Sequence, residues 1–223
     1  MSAVSAPARR DLLKALAAAS VLLAVGPLTA PASASASATT GLGSGPTRTL
    51  EAFGDTLIPG ERRYSGDLAI AGVVSGPGAV QAGLLQVLTS PQLPLGPWLP
   101  EIAALLDARA LARAATHLIL LPPGWPPFVG LPFGHRTDLV RGLFRPDEPD
   151  RPIWQTMALL VGLAFDTAAH LDTPAAIAAG HPGLAWIGFP PPDADGLWRF
   201  PDHSYRRALA ALHPRTTPSG SPA

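Results

Sequence analysis

Proline and glycine are the residues that most limit what this chain can fold into. The 223-residue sequence contains 27 prolines and 22 glycines. Proline lacks a backbone N–H donor and biases the residue before it toward extended geometry, so neither a long helix nor a central strand can pass through a segment such as 122–127. We therefore expect short regular elements that are separated by stiff loops.

Composition indicates a folded chain and excludes several function classes. Hydrophobic residues make up 47% of the sequence and charged residues only 14%, whereas an average soluble domain has about 25% charged residues. The formal net charge is zero, and the basic residues are scattered, so we expect no nucleic-acid partner. Cysteine is absent, which excludes disulfides, thiolate metal ligation, iron–sulfur clusters and covalent c-type haem. We expect any redox cofactor to be bound by another subunit.

Two adjacent arginines near the amino terminus are followed directly by an aspartate, two leucines and a lysine. An alanine-rich apolar stretch then runs from residue 15 to residue 28. In its order and spacing this segment resembles a twin-arginine export signal. The resemblance implies that the twin-arginine translocase exports the chain in a folded state. The matching positions are Arg9, Arg10, Leu12, Leu13 and Lys14.

The apolar stretch of this signal is too short to cross a membrane. Gly26 and Pro27 interrupt it, whereas a spanning helix needs about 20 apolar residues. Small residues follow, and they allow a signal peptidase to cleave after Ala34, Ala36 or Ala38. We therefore expect no permanent membrane span after cleavage, and a location in the periplasm, at the cell surface or outside the cell.

The hydrophobic pattern predicts a mainly α fold. We divide the chain into a signal peptide at 1–38, a linker at 39–46, a helical domain at 47–215 and a disordered tail at 216–223. Apolar residues recur every three or four positions in several segments between the proline loops, with Thr47 or Thr49 as the N-cap of the first helix. The predicted helices cover residues 47–58, 77–88, 97–121 with Leu118 on the buried face, 136–144, 153–171 and 173–179.

Residues 181–203 are different in character from the helical segments. They are rich in aromatic residues and proline, without a helical or strand period. We predict an irregular segment, which can be ordered only by packing its rings onto another surface. That surface is either the chain's own helices or a partner protein.

The end of the first predicted helix carries a motif that resembles a known family. Residues 52–60 read Ala-Phe-Gly-Asp-Thr-Leu-Ile-Pro-Gly, which is similar to the opening motif of gluconate 2-dehydrogenase subunit 3, the small or gamma subunit. Members of that family also carry a twin-arginine signal. The resemblance implies a non-catalytic subunit without a cofactor of its own, bound to a large flavoprotein of the glucose-methanol-choline type that holds FAD. Residues 181–193 give a closer likeness, to a group of exported bacterial proteins of unassigned function.

This resemblance and the aromatic segment together suggest where a partner subunit would bind. Asp55 and Pro59 belong to the shared motif, although a carboxylate near a helix end can equally bind the backbone donors of the next turn. The aromatic residues and one arginine near the carboxyl terminus are of types enriched in interface hot spots, although they can also cover the core. These predicted interface residues are Trp186, Phe189, Trp198, Arg199, Phe200 and Tyr205.

The alternative hypothesis is a stand-alone exported enzyme, a metal-dependent hydrolase. His170, Asp172 and His181 would supply its ligands, and Asp166 and His203 are further candidates. None of them has the short spacing that defines a metal motif. Asp193 and Asp195 could bind calcium, or they could form an Asx turn. A third hypothesis is a structural module that binds the cell envelope through the C-terminal aromatic residues.

Overall fold

The computed structural model describes residues 42–198, apart from positions 94, 169, 195 and 197. Every regular element within these residues is helical, so the prediction of a mainly α fold is confirmed. A short 3₁₀ helix, Gly96–Trp98, precedes the helix that begins at Leu99, and a π-helical turn, Leu163–Thr167, follows the helix that ends at Gly162. The α-helices are α1 (Ser44–Leu57), α2 (Leu84–Leu88), α3 (Leu99–Thr116), α4 (Pro127–Gly130), α5 (Phe133–Leu143), α6 (Arg151–Gly162), α7 (Thr173–Ala178) and α8 (Pro182–Ile187).

Helix α1 is the central element of the compact unit that ends at Phe189. Helices α2, α3, α4, α5 and α6 all pack against it. Its apolar stripe supplies Leu50 and Phe53 to the core, and the Phe53 ring lies 6.0 Å from that of the fully buried Trp154 on α6. Because a buried aromatic side chain contributes a large apolar area, this contact fixes α6 on α1. Pro190 begins a second unit.

The first helix begins earlier than predicted. Helix α1 begins at Ser44, and Gly43 occupies the N-cap position without a side-chain cap. The prediction of Thr47 or Thr49 as the N-cap is therefore wrong. The Thr47 hydroxyl donates back to the Gly43 carbonyl, at 3.0 Å, and the Thr49 hydroxyl donates to Asp107, at 3.0 Å.

The predicted helix at 77–88 forms only over its last five residues. Gly83 precedes α2 in the left-handed region, with a φ of 90°, so the backbone cannot continue as one helix through it. A Cβ at this position would also lie 2.7 Å from Nε2 of His170. Because the apolar periodicity of residues 77–88 does not report this left-handed glycine or its contact with His170, it predicted too early a start for α2.

Helix α3 confirms most of the predicted helix at 97–121, but it ends at Thr116. Leu118 has a φ of 52° and is 91% exposed, so its assignment to the buried face was wrong. Leu121 still packs against the core. The chain therefore leaves the helix through a left-handed residue and not at the proline pair that follows.

The later helices also differ from the predicted ones in their bounds. Helix α4 lies within a proline-rich segment that we expected to be a loop, because prolines at its first positions leave no donor unpaired. Helix α5 begins three residues before the predicted start. Helix α6 with its π-helical turn ends at Ala168, which is left-handed. Residues 182–187 were predicted to be irregular but form α8.

No described helix is both long enough and apolar enough to cross a membrane. Several predicted features lie outside the described residues. They are the export signal with its cleavage sites, the tail at 216–223, and Asp195, Arg199, Phe200, His203 and Tyr205.

Candidate functional site

The shared motif at the end of α1 holds a buried carboxylate. Asp55 is only 1% exposed. Its Oδ1 accepts a hydrogen bond from the Gly60 N–H at 3.1 Å, and its Oδ2 accepts one from the Ala71 N–H at 2.8 Å. Burial raises the pKa of Asp55, although the two backbone N–H groups and the charge of Arg136 oppose this rise. The carboxylate therefore fixes the start of the loop that follows α1 and a point further along it.

This geometry matches the local interpretation of Asp55, in which the carboxylate binds the turn after its helix. The bond to Gly60 could be foreseen from sequence because the two residues are five apart. The bond to Ala71 could not, because nothing in the loop sequence indicates where the chain returns. With both oxygens occupied and the side chain buried, Asp55 shapes the loop but does not reach the surface. Pro59 is partly buried.

A second carboxylate cluster holds the same loop from its other side. Arg63 forms a bidentate pair with Glu51 of α1, at 2.6 and 2.9 Å, and a further ion pair with Asp67 at 2.7 Å. Hydrogen bonds to these two carboxylates raise the pKa of Arg63 above its usual range. Asp67 also accepts the backbone N–H of Ala69 at 3.1 Å. This cluster could not be predicted from sequence, because the segment has the composition of a polar linker.

A buried arginine completes the support of the loop. Arg136 of α5 is buried. It donates to the carbonyl oxygens of Leu68 at 2.6 Å and Ala69 at 3.2 Å within the loop, and to those of Val129 in α4 and Leu131 just after it. Burial lowers the pKa of Arg136 to about 10, which still leaves it charged at neutral pH. Carbonyl dipoles thus solvate this cation in place of water.

The supported loop, residues 60–78, lies directly under an exposed tryptophan. A Cβ at Gly76, where φ is 130°, would lie 2.8 to 3.2 Å from the ring of Trp186. Only glycine combines this backbone conformation with so close an approach. Trp186 is nevertheless 62% exposed. The six-membered part of the indole ring therefore lies against the loop at Gly76, while most of the residue is open to solvent.

Other exposed apolar side chains come from the same two segments. Val73 and Val74 are exposed on the loop, three and two residues before Gly76, and Ile187 is exposed next to Trp186 on α8. We call these four residues, Val73, Val74, Trp186 and Ile187, the Trp186 surface. A shallow pocket lined in part by Glu61, Arg62 and Ser75 adjoins the two valines. Exposed apolar groups beside polar ones are typical of a protein-binding surface.

Two histidines hold α8 and the turn before α2 together. The Nδ1 of His181 accepts the Leu184 N–H at 3.3 Å, so this nitrogen carries no proton, and Nε2 donates to the Ala82 carbonyl at 3.0 Å. His170 lies with its ring 6.1 Å from that of His181, and its Nε2 pairs with the Gln86 side-chain oxygen at 3.2 Å. Burial, and to a lesser extent His181, lowers the pKa of His170 to about 4.

These contacts bear on the metal-site hypothesis. Both ring nitrogens of His181 are used in hydrogen bonds, and the Asp172 side chain caps α7 by accepting the Ala175 N–H at 2.9 Å. Asp166 is exposed. Within the described part of the chain, no three histidine, aspartate or glutamate side chains come together in a way that could hold a metal ion. The described residues thus offer no ligand set for the predicted hydrolase.

The other predicted interface residues that the structure describes, Phe189 and Trp198, do not belong to the Trp186 surface. Phe189 is partly buried and packs against a small apolar cluster formed by Ala168, Ala176 and Leu184. In the second unit, the indole N–H of Trp198 donates to the Pro190 carbonyl at 2.9 Å. The structure therefore leaves Trp186 as the most exposed of the aromatic residues whose position it describes.

The fold and the site define a helical protein whose polar side chains mostly hold its own backbone, and whose Trp186 surface is apolar. The chain belongs to DUF5987, a family of unknown function, which matches residues 44–223. The match begins at the first residue of α1. No curated protein and no solved structure matches the chain. The relationship to gluconate 2-dehydrogenase subunit 3 remains a prediction.

Proposed function

We propose that this protein is a non-catalytic subunit that binds a large flavin-dependent dehydrogenase of the glucose-methanol-choline type. In this proposal FAD belongs to the partner, and the twin-arginine signal of this chain serves to export both proteins as a folded complex. The Trp186 surface is the observation that carries the binding role. The kind of partner rests on the resemblance of residues 52–60 and of the signal.

The Trp186 surface has the properties of a preorganised binding site. Tryptophan is among the residues most enriched in interface hot spots, and Trp186 rests on a loop that Asp55, Asp67 and Arg136 hold in one conformation. A partner that covers the ring would bury a large apolar area without first ordering the loop. Preorganisation of this kind reduces the entropic cost of association.

The position of the shared motif, residues 52–60, explains how it can contribute to binding without touching the partner. Asp55 holds the loop at Ala71, and the exposed valines follow within three residues. The motif therefore acts as a support for the binding surface. On this basis we place the contact with the partner at the exposed valines and Trp186, and the role of Asp55 beneath them.

The test is co-purification of the full chain with the products of its neighbouring genes. A tag on this chain should recover a yellow flavoprotein. We expect Trp186→Ala to weaken the complex about 30-fold, the loss typical of a hot spot worth about 2 kcal/mol, while the circular dichroism spectrum stays unchanged because the side chain is mostly exposed.

Leu159→Ala provides the matched control. Leu159 is also an exposed large apolar residue, but it lies on α6, outside the Trp186 surface, so the amount of flavin recovered should not change. If the unmodified chain recovers no flavoprotein, the proposed function is wrong. If both variants recover as much as the unmodified chain, the Trp186 surface is not the contact.

A further inference from the structure

Helix α3 presents a face to solvent that carries almost no charge. Five exposed positions recur at helical spacing along it: Ala104, Ala108, Leu111, Ala112 and Ala115. A surface helix normally places charged and polar residues on its outer face. The structure describes every residue of α3, and Glu101 is the only charged residue among its exposed positions. The opposite face is buried in the core. The other charged residues of α3, Asp107, Arg109 and Arg113, are partly buried and bind side chains of the same chain.

Exposed apolar residues also follow the end of the helix. Leu111 is 56% exposed, and Leu118 and Leu120, just past the C-terminus of α3, are 91% and 96% exposed. Leu118 also adopts a left-handed conformation, with a φ of 52°, which disfavours a residue with a Cβ by about 1 kcal/mol. Leu118 and Leu120 therefore bury little apolar area within a single copy of the chain. Their exposure indicates a surface that another molecule covers.

The positions on this face are arranged symmetrically about the middle of α3. Ala104 and Ala115 are equally distant from the midpoint between Arg109 and Ala110, and so are Ala108 and Leu111. If a second copy packs its α3 antiparallel across this midpoint, each Leu111 faces Ala108 of the other copy. Each large side chain then meets a small one, and the two helices can approach closely.

The polar residues at the two ends favour the same orientation. Glu101 is exposed in the first turn of α3, and His117, a basic residue, is exposed at its C-cap. Antiparallel packing brings Glu101 of one copy within about one residue, or 1.5 Å along the axis, of the position opposite His117 of the other. It also aligns the helix dipoles favourably. Parallel packing would place the two Glu101 carboxylates side by side.

We propose that the exposed face of α3 is the interface of an antiparallel homodimer of this chain. The 18-residue helix is about 27 Å long, and one helix face covers less than the roughly 800 Å² per partner of a standard stable interface. The dimer is therefore in reversible equilibrium with the monomer. This contact is separate from the Trp186 surface and does not depend on the proposed function.

The absence of cysteine from the sequence allows a clean test of the register. The full chain is prepared as two single-cysteine variants, Ala104→Cys and Ala115→Cys. One of them carries a tag that makes it distinguishable by size. A mild oxidant is added to each variant alone and to a mixture of the two. In the antiparallel dimer, positions 104 and 115 face each other, so the mixture should form disulfide-linked heterodimers. Two copies of position 104 lie about 16 Å apart along the axis, beyond disulfide reach, so neither variant should link to itself.

Sedimentation analysis of the unmodified full chain over a range of concentrations provides the second measurement. The average mass should rise toward that of a dimer, and Leu111→Glu should raise the dissociation constant at least tenfold. Leu159→Glu, at an exposed leucine on α6, should leave it unchanged. A chain that is monomeric at all concentrations would overturn the proposal and leave the face to a different partner or to another segment of the chain. Self-linking of each single variant would overturn the antiparallel register.

Discussion

The interaction between His170 and its surroundings makes the stability of this protein depend on pH. In the folded chain the pKa of His170 is lowered to about 4, chiefly by burial and also by His181, whereas an unperturbed histidine has a pKa of about 6.5. Between these two values the unfolded chain binds a proton at this site that the folded chain does not. The free energy of unfolding therefore falls as the pH decreases from about 6.5 to about 4.

Replacing His170 by glutamine should remove this part of the pH dependence. Glutamine can still donate to the Gln86 side-chain oxygen but does not titrate. Because His170 is only partly buried, we discount the full effect of the pKa shift for solvent screening, and expect the unmodified chain to lose about 1–2 kcal/mol more than His170→Gln between pH 6.5 and pH 4. Urea unfolding of both proteins at several pH values measures the difference. Parallel stability curves would contradict the prediction.

Asp55 shows what can be learned about a single residue from sequence. Its hydrogen bond to the Gly60 N–H follows from a general property of carboxylates near helix ends, and could be predicted. Its bond to Ala71, and the support of the same loop by Arg136, depend on where distant parts of the chain meet. The same limit applies to Trp186. Its residue type predicts an interface residue, but its contact with Gly76 could not be predicted from sequence.

At the scale of elements, the contact between α8 and the π-helical turn at Leu163–Thr167 is a close backbone approach. Helix α8 packs directly on that turn. A Cβ at Gly183 would lie 2.9 Å from the carbonyl carbon of Phe165 and even closer to its oxygen. Backbone atoms cannot move aside as a flexible side chain can. Glycine at this position therefore allows α8, with Trp186, to lie where it does.

We predict that Gly183→Ala destabilises the protein by about 2–3 kcal/mol, the cost of overpacking against fixed atoms. Thermal or urea unfolding measures this loss. Gly142→Ala is the control, because a Cβ there would meet no atom within 4 Å and alanine has the higher helix propensity; it should be neutral or stabilising by up to about 1 kcal/mol. Equal stabilities for the two variants would show that α8 does not pack this closely.

The helices that sequence predicted best are those with a continuous apolar stripe. Helices α1, α3 and α6 bury one face against the core, and periodicity reports burial directly. Helices α2 and α8 were misjudged because their limits depend on contacts with other parts of the chain, at Gly83 and Gly183. The outer face of α3 was not recognised either, because a sequence pattern does not separate an apolar side that packs in the core from one that is exposed.

At the scale of the whole molecule, an apolar core coexists with a few buried charged residues and a few exposed apolar ones. Buried carboxylates and Arg136 fix the loop after α1 from within, while Trp186, Leu118 and Leu120 remain exposed. Burying polar groups is favourable only when their hydrogen bonds are satisfied, as they are around this loop. The result is a stable support with apolar surfaces on its outside, an arrangement suited to binding other proteins.

The role of the chain in export is tested by its first residues. We predict that changing Arg9 and Arg10 together to lysine retains the chain in the cytoplasm, because the paired arginines are what the segment shares with twin-arginine signals. The flavoprotein of the proposed complex should be retained with it if this chain carries the only signal of that complex. Fractionation followed by immunodetection of both proteins measures their location. Arg145→Lys, at an exposed arginine of the folded domain, should leave export unchanged. Export of the flavoprotein without this chain would show that the partner does not depend on it.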